Sequence, residues 1–536
     1  MDDVQPVSDT QTQALPLASS WNNATVEFKI TQKPQGVAST INFPVLWADQ
    51  RRNLIYSFGG EASFIPPISG HPRPLTLWTF SPDGKGSGTW SENTTSPYGD
   101  GLTRPAGGLS AGSPDAAWYL GGWSSVGTSP ESHNLPIGTL IPVPGLTKFD
   151  FTTNEWSNQT ATGYSPSGTA AGGGIQFVPG FGPKGILVAF GGDTSDRFRY
   201  TPNSLPRNFA LISVYEPSAG KWYTQTATGE DIPDNRSRFC VVGTRENKSS
   251  NGSYEVFMYG GVSSGSGAAN NAFDQVWTLS IPSFRWFKAD YTPRGARATH
   301  SCNVVGAGQR QMISIGGYNA SRSSAVSGMQ IPDEFAQGLG IFDLSEMKWT
   351  DGYDVDAPAY TRPSVVEDWY SKNGSYPESW DQPALKDLIQ NNITAKSTSG
   401  PDQPAPAAST TASASSAPTA SVLSPNNTPK IIGGVVGGVI GLLLILLAIL
   451  VFFIRKRQRA RRQHDDGSDA HPIPLKAVAE MPDRSPEELH DPNFVTAKEM
   501  DANHRRELEA KYHWEKERQA EGENGRMSVT GRRELE

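Results

Sequence analysis

The chain has 536 residues, more than one ordinary domain needs, and combines a charged fraction of 19% with 55 Gly and 41 Pro, a composition that suits a turn-rich β protein. Its net charge of −8 is spread without large blocks over the first 430 residues. No basic face of the kind that attracts DNA or RNA is present, so a nucleic-acid role is set aside.

Residues 1–20 have no basic n-region and no apolar h-region, hence no signal peptide, and read as disordered or as a residual strand. Beyond them the chain repeats itself. Apolar runs stop at paired glycines in "NLIYSFGGE" (Gly59, Gly60), "AAWYLGGW" (Gly121, Gly122), "ILVAFGGD" (Gly191, Gly192), "EVFMYGGV" (Gly260, Gly261) and "QMISIGGY" (Gly316, Gly317). Each pair is followed by an apolar strand, a polar turn and a tryptophan. From Phe149 to Trp156, Tyr215 to Trp222, Leu279 to Trp286 and Phe342 to Trp349 the separation is seven residues every time, and the first copy reaches Trp90 after a longer turn. Strand, short turn and strand is the reading, a β-hairpin repeated five times. Successive second glycines lie 62, 70, 69 and 56 residues apart. Such a period means an array, and four short strands per unit without helical periodicity point to propeller blades.

These residues resemble the kelch motif: three apolar residues, Gly-Gly, a variable loop, an aromatic followed by Asp or Glu, and a Trp further on. The resemblance covers about residues 20–350 and implies an all-β propeller over 21–350, with glycines and tryptophans as scaffold and neither bound to a ligand. The repeats are longer than the usual 50 or so residues of the family. The surplus falls in loops such as "GGWSSVGTSPESHNLPIGTLIPVPG", where a binding surface can diversify. Kelch propellers commonly close six or seven blades, and five glycine pairs are one short. Trp21, of the outer-strand type, has no glycine-pair strand before it. The expectation is about six blades, the first incomplete in this chain, with a signal peptide and the missing strands upstream. The alternative is five and a half blades, with the apolar segment near the carboxyl end acting as a reverse signal-anchor.

Both cysteines, Cys240 in "RFCVVG" and Cys302 in "HSCNVVG", stand just upstream of consecutive glycine-pair strands. Adjacent repeats bring them within reach of a disulfide; two free buried thiols are the other reading. Arg104, Arg238 and Arg297 each precede an inner strand and either ring one mouth of the channel as a binding site or bond loop carbonyls structurally. The family relation to galactose oxidase raises copper-radical chemistry, which needs two His and two Tyr, one Tyr cross-linked to Cys. Residues 1–430 hold only His71, His133 and His300, with no pair at ligand spacing, and His300 in "ATHSC" reads as a hydrogen-bonded core residue. No catalytic residue, metal site or cofactor is therefore expected.

Residues 351–395 read as a strap and short helix packing on the last blade, and 396–430, rich in Ser, Thr, Ala and Pro, as an extended stalk. Residues 431–454 carry no charge and are long enough to span a bilayer of roughly 30 Å. Gly433, Gly437 and Gly441 share one face of that helix, a small-xxx-small pattern suited to a homodimer. "RKRQRARR" follows at once, which puts the tail, 455–536 with a helix near 496–520, in the cytosol and residues 1–430 outside. The sequons agree with that orientation: Asn23, Asn93, Asn158, Asn235, Asn247, Asn251, Asn319, Asn373, Asn392 and Asn426 all precede the span.

The functional expectation is a single-pass type I glycoprotein of the plasma membrane or another secretory-pathway membrane, whose propeller binds a protein or glycan. The layout resembles fungal kelch membrane proteins. A cell-wall sensor signalling through its tail is the second reading, and an oxidase-like enzyme the third.

Overall fold

The computed structural model describes residues 11–33, 41–62, 77–93, 104–136, 138–195, 205–246, 252–264, 272–321, 328 and 331–396. All of them lie in the first of two compact units, Met1–Thr411.

Five four-stranded antiparallel sheets follow one another along the chain. The first is β3 (Val45–Asp49), β4 (Leu54–Phe58), β5 (Leu77–Pro82) and β6 (Gly88–Asn93), ahead of which lie β1 (Gln11–Ala14) and β2 (Lys29–Gln32). The second is β7 (Leu109–Gly112), β8 (Ala116–Leu120), β9 (Leu146–Asp150) and β10 (Trp156–Gln159). The third is β11 (Gly174–Val178), β12 (Ile186–Phe190), β13 (Leu211–Glu216) and β14 (Lys221–Thr226). The fourth is β15 (Cys240–Thr244), β16 (Tyr254–Tyr259), β17 (Val276–Ile281) and β18 (Arg285–Lys288), extended by Thr228–Gly229, which runs parallel to β18. The fifth is β19 (Ser301–Val305), β20 (Gln311–Ile315), β21 (Leu339–Asp343) and β22 (Lys348–Thr350). The first strands of the sheets pack in order, β3 on β7, β7 on β11, β11 on β15 and β15 on β19, which makes them the inner wall of a propeller.

The seven-residue spacing read from the sequence is a cross-strand register. Phe149 faces Trp156, Tyr215 faces Trp222, Leu279 faces Trp286 and Phe342 faces Trp349, and Phe80 faces Trp90 across the longer turn. The tryptophans also reach the preceding unit. The Trp222 indole donates to the Thr160 carbonyl (3.0 Å) and the Trp286 indole to Phe209 (2.9 Å). Apolar cores fill each seam between successive sheets, as with Trp47, Tyr56 and Phe58 against Tyr119, Phe149 and Phe151. A large side chain buried in such a seam contributes roughly 1.5–3 kcal/mol.

Every glycine pair ends the second strand of its sheet with both residues at positive φ, where a Cβ is strained. At Gly121 an added Cβ would also lie 2.3 Å from the Ala170 carbonyl oxygen of the next sheet. The second glycine of the pair donates its N–H to that neighbour: Gly60 to the Pro105 carbonyl (2.9 Å), Gly122 to Ala170 (2.6 Å), Gly192 to Arg236 (3.0 Å) and Gly261 to Arg297 (2.8 Å). The pair is thus a blade-to-blade latch.

The amino-terminal segment departs from expectation in detail. Trp21 does not sit on an outer strand. Trp21–Asn22 pairs with Gly352–Tyr353 after the fifth sheet, and the Trp21 indole donates to the Pro16 carbonyl (2.6 Å). The hairpin of the segment is β1 with β2, which form a two-stranded sheet. The strap starts on the last blade, where the Gln311 amide donates to the Asp354 carbonyl (2.7 Å) and Tyr360 N–H to Gly308 (2.8 Å), and then continues onto the neighbouring sheets. Tyr360 bonds the buried Glu255 (3.1 Å), and α1 (Ser364–Asn373) places Tyr370 on Ser280 and Ser283 and Trp369 on Phe287. Leu385 and Ile389 of α2 (Pro383–Lys396) then enter the core between sheets three and four. Burial of apolar side chains beneath those sheets decides the path.

Among the described residues no helix is long and apolar enough to cross a membrane. Residues 431–454 lie outside them, as do Gly433, Gly437, Gly441, Asn426 and the tail helix expected near 496–520.

Cys240 and Cys302 form a disulfide with Cα atoms 5.6 Å apart, joining inner strands β15 and β19 across a separation of 62 residues. Replacing both by serine is expected to cost about 4 kcal/mol on the chain-entropy account. Denaturant unfolding of the double variant checks this, and an unchanged midpoint contradicts it.

Candidate functional site

The residue that turns the chain into each inner strand is left-handed: Phe43 (φ 57), Gly107 (φ 66), Gly172 (φ 61), Arg238 (φ 62) and Thr299 (φ 57). From Gly107 to Thr299 their backbones join in an arc about the propeller axis. Thr299 N–H donates to the Arg238 carbonyl (2.9 Å), Arg238 to Gly172 (2.7 Å) and Gly172 to Gly107 (2.9 Å). Glycine takes this conformation freely, whereas each side chain held there costs roughly 1–2 kcal/mol. Strain kept in this way marks candidate binding positions. Arg238 is exposed at this mouth and reaches the Tyr318 hydroxyl (3.3 Å). Beside it, burial raises the Asp193 carboxyl against the opposing pull of Ser237, Arg238 and Ser264.

The three arginines read from the sequence therefore separate. Arg104 is buried, contacts the Gly127 carbonyl (3.5 Å) and is lowered by burial to about 10. Arg297 is buried too, bonded to the Gly316 carbonyl (2.8 Å), to Glu334 (3.0 Å) and to Asp333. Both tie loops structurally, and only Arg238 faces out. The sequence reading missed Arg236, whose carbonyl occupies the place of Arg297 in the latch. Its side chain is fully buried over the Phe273 ring (3.5 Å to the centroid) and bonds Gln275 (3.2 Å). The register shows why. Cys240 faces Tyr259, while in the fifth sheet Ser301 faces Ile315 and Cys302 stands one residue further on, so the cysteines are not equivalent anchors for alignment.

The long loop after Gly122 was expected to offer a variable surface. Instead its hydroxyls close on one another: Ser124 with Thr128 (3.1 Å), Thr128 with Ser132 (3.1 Å), and Ser132 to the Ser125 carbonyl (2.6 Å). Ser125 donates to the buried Glu61 (2.5 Å). This closure holds the first part of the loop, whereas His133, Asn134, Pro136 and Gly138 further along it are exposed. Asn23, one of the sequon candidates, is buried with its amide donating to the Leu339 carbonyl (2.9 Å), so a glycan there would have to displace the contact. Asn158, Asn235 and Asn373 are exposed. Asn247 and Asn251 lie outside the described residues.

Cys240, His300 and Cys302 bring donor atoms within 4.8 Å of one another, but the two sulfurs are spent on the disulfide and cannot act as thiolate ligands. His300 is buried against the Tyr259 ring (5.0 Å between centroids), and neither ring nitrogen has a well-formed hydrogen bond, contrary to the expected bonded core residue. Of the other two histidines on that side, His133 is exposed and His71 lies outside the described residues. Among the described residues a cleft between Val305–Gln311 and Asp354–Ala357 encloses about 160 Å³. Drug-sized ligands need roughly 300–1,000 Å³.

Radial four-stranded sheets latched by glycine pairs, with a tryptophan facing the third strand in each, define a kelch-type β-propeller of five complete blades. No known family model matches the chain. It is similar to a kelch repeat-containing protein of Arthroderma benhamiae (strain ATCC MYA-4681 / CBS 112371), with 27% identity over 374 residues that cover 63% of this chain and 51% of that protein. The chain thus spans about half the length of the curated relative it matches.

Burial, helped by the nearby Arg297 charge, lowers His300 from its ordinary 6.5 to about 3, against the Tyr259 carbonyl that favours protonation. The folded chain holds this ring neutral, while the unfolded chain protonates it below pH 6.5, so acid favours unfolding through the window from 6.5 down to about 3. His300→Phe keeps a ring but removes the titration. Its stability relative to wild type is expected to improve by up to about 1.4 kcal/mol per pH unit over that window. Chemical denaturation at pH 7, 6 and 5 checks this, and parallel pH profiles contradict it.

Proposed function

We propose that the protein is a cell-surface binding module: its propeller engages a protein or glycan through the glycine-pair end, and residues 431–454 anchor it in a membrane with the propeller outside. The observation that carries the reading is Arg238, an exposed cation held left-handed in an arc whose glycines need no such strain. Four features support it. The kelch relationship points to protein binding in general. The connections that lead into each sheet's first strand and out of its glycine-pair strand open at this end, and they are the longest of each repeat. The disulfide suits an oxidising compartment. An exposed arginine at this mouth suits a macromolecular partner.

Arg238→Glu reverses the charge without touching the backbone arc. Full-length wild type and variant, displayed on cells, are to be probed with a panel of surface polysaccharides and secreted proteins. The reading expects captured partners to bind the variant about tenfold more weakly or worse, with the melting temperature unchanged. Equal capture by both, or no capture by wild type, contradicts it.

A further inference from the structure

Sheet five is latched from one side only. Gly261 of sheet four donates to the Arg297 carbonyl, but Gly317 makes no such interblade bond among the described residues. Beside the Gly261 bond the two sheets are tied at the head of their inner strands, where Cys240 of β15 and Cys302 of β19 join with Cα atoms 5.6 Å apart.

His300 stands against that link, and packing does not explain it. Counted from the latch carbonyls of Pro105, Ala170, Arg236 and Arg297, the third residue on is Gly108, Gly173, Phe239 and His300. Elsewhere, then, the place takes no side chain or an apolar one, and Phe239, 7% exposed, shows how a ring fills it. His300 is buried to the same 7%, yet neither of its ring nitrogens has a well-formed hydrogen bond. A buried polar group left unpaired costs roughly 1–3 kcal/mol. The ring is also clamped. A Cβ added to Gly260 would lie 2.8 Å from its Cε1, one added to Gly317 would lie 2.8 Å from its Cβ, and the Tyr259 ring packs on it edge to face.

Both sulfurs and a His300 nitrogen lie within 4.8 Å of one another. Tetrahedral zinc, with Zn–S near 2.3 Å and Zn–N near 2.0 Å, places its donors roughly 3.5–3.8 Å apart. Two cysteines on neighbouring inner strands reach that spacing by side-chain rotation once the S–S bond is open. A second buried polar atom stands beside them. Ser314 faces Cys302 across the β19–β20 ladder, is 1% exposed, and its hydroxyl has no partner among the described residues, which leaves an oxygen for a fourth position. Two thiolates cancel the charge of the zinc dication, so Arg297, already paired with Asp333 and Glu334, does not oppose it.

We propose that Cys240, Cys302 and His300 form a zinc site that is unmasked when the disulfide is reduced, so that a metal bridge replaces the covalent one between sheets four and five. A dithiol supplies the two electrons and two protons: its own sulfurs join in a disulfide, and the Cys240–Cys302 bond becomes two thiols. Zinc then takes both sulfurs as thiolates, with their two protons released to solvent, and one neutral His300 nitrogen. Cys302, half-buried where Cys240 is buried, is the more accessible end for the attacking thiolate.

The test titrates zinc alone into the full chain at pH 7, once oxidised and once after reduction by a dithiol that is then removed without oxygen. The reduced chain is expected to bind one zinc roughly a hundredfold more tightly than the oxidised one, since even groups behind a ligand are worth about 10–100-fold in metal affinity. Its melting temperature is expected to rise by roughly 5 °C or more on binding. His300→Phe, which keeps both cysteines and copies Phe239, is expected to lose roughly a hundredfold of the reduced chain's affinity. His133→Phe, at an exposed position, is expected to lose none. Equal affinity of the oxidised and reduced chains overturns the proposal, as does equal affinity of the reduced wild type and His300→Phe. So does a reduced chain that unfolds and is not refolded by zinc.

Discussion

The hydrogen bond from the second glycine of the first four pairs to a backbone carbonyl of the next sheet is the interaction on which this fold depends. It requires two successive residues at positive φ and an approach too close for a Cβ, so the sequence must spend Gly-Gly at the end of each second strand. Other features follow from that approach. The inner strands are drawn together, the outer strands splay, and the widening wedge is filled by a tryptophan that lies against the third strand and bonds the preceding blade. The disulfide adds a covalent version of the same link between the last two inner strands. The central wall is therefore held by backbone groups, which leaves the side chains at its mouth free to vary.

That division explains which parts of the molecule were legible in the sequence. The glycine pairs and the seven-residue Phe, Tyr or Leu to Trp spacing are geometric requirements, and they gave the blade and the cross-strand pairs directly, whereas the expected count of about six blades gives way to five among the described residues. Cys240 and Cys302 were legible for the same reason, since both stand on inner strands of adjacent repeats. Arg238 was legible only as one of three. A two-residue difference between Arg236 and Arg238 separates a buried guanidinium from an exposed one, and only the strand register, set by Tyr259 against Cys240, tells them apart. Trp21 misled because a tryptophan before a polar run looks like an outer strand. Its pairing with Tyr353, 332 residues away, is a long-range contact that local pattern does not carry. The hydroxyl cluster of Ser124, Ser125, Thr128 and Ser132 misled in the opposite direction: a Ser- and Gly-rich loop reads as free, and here its hydroxyls satisfy one another.

The site and the scaffold meet in the left-handed arc. Gly107 and Gly172 occupy it without cost, while Arg238 and Thr299 occupy it under strain. A propeller that only needed closure would use glycine throughout. Small variations at these positions change what the mouth offers while the latch beneath stays fixed, which is how one scaffold serves many partners.

Amide hydrogen exchange at the paired glycines tests the latch most directly. The account predicts slow exchange for Gly60, Gly122, Gly192 and Gly261, whose N–H groups are bonded between blades, and fast exchange for Gly317 in the same chain. Slow exchange at Gly317, or fast exchange at the other four, would contradict it.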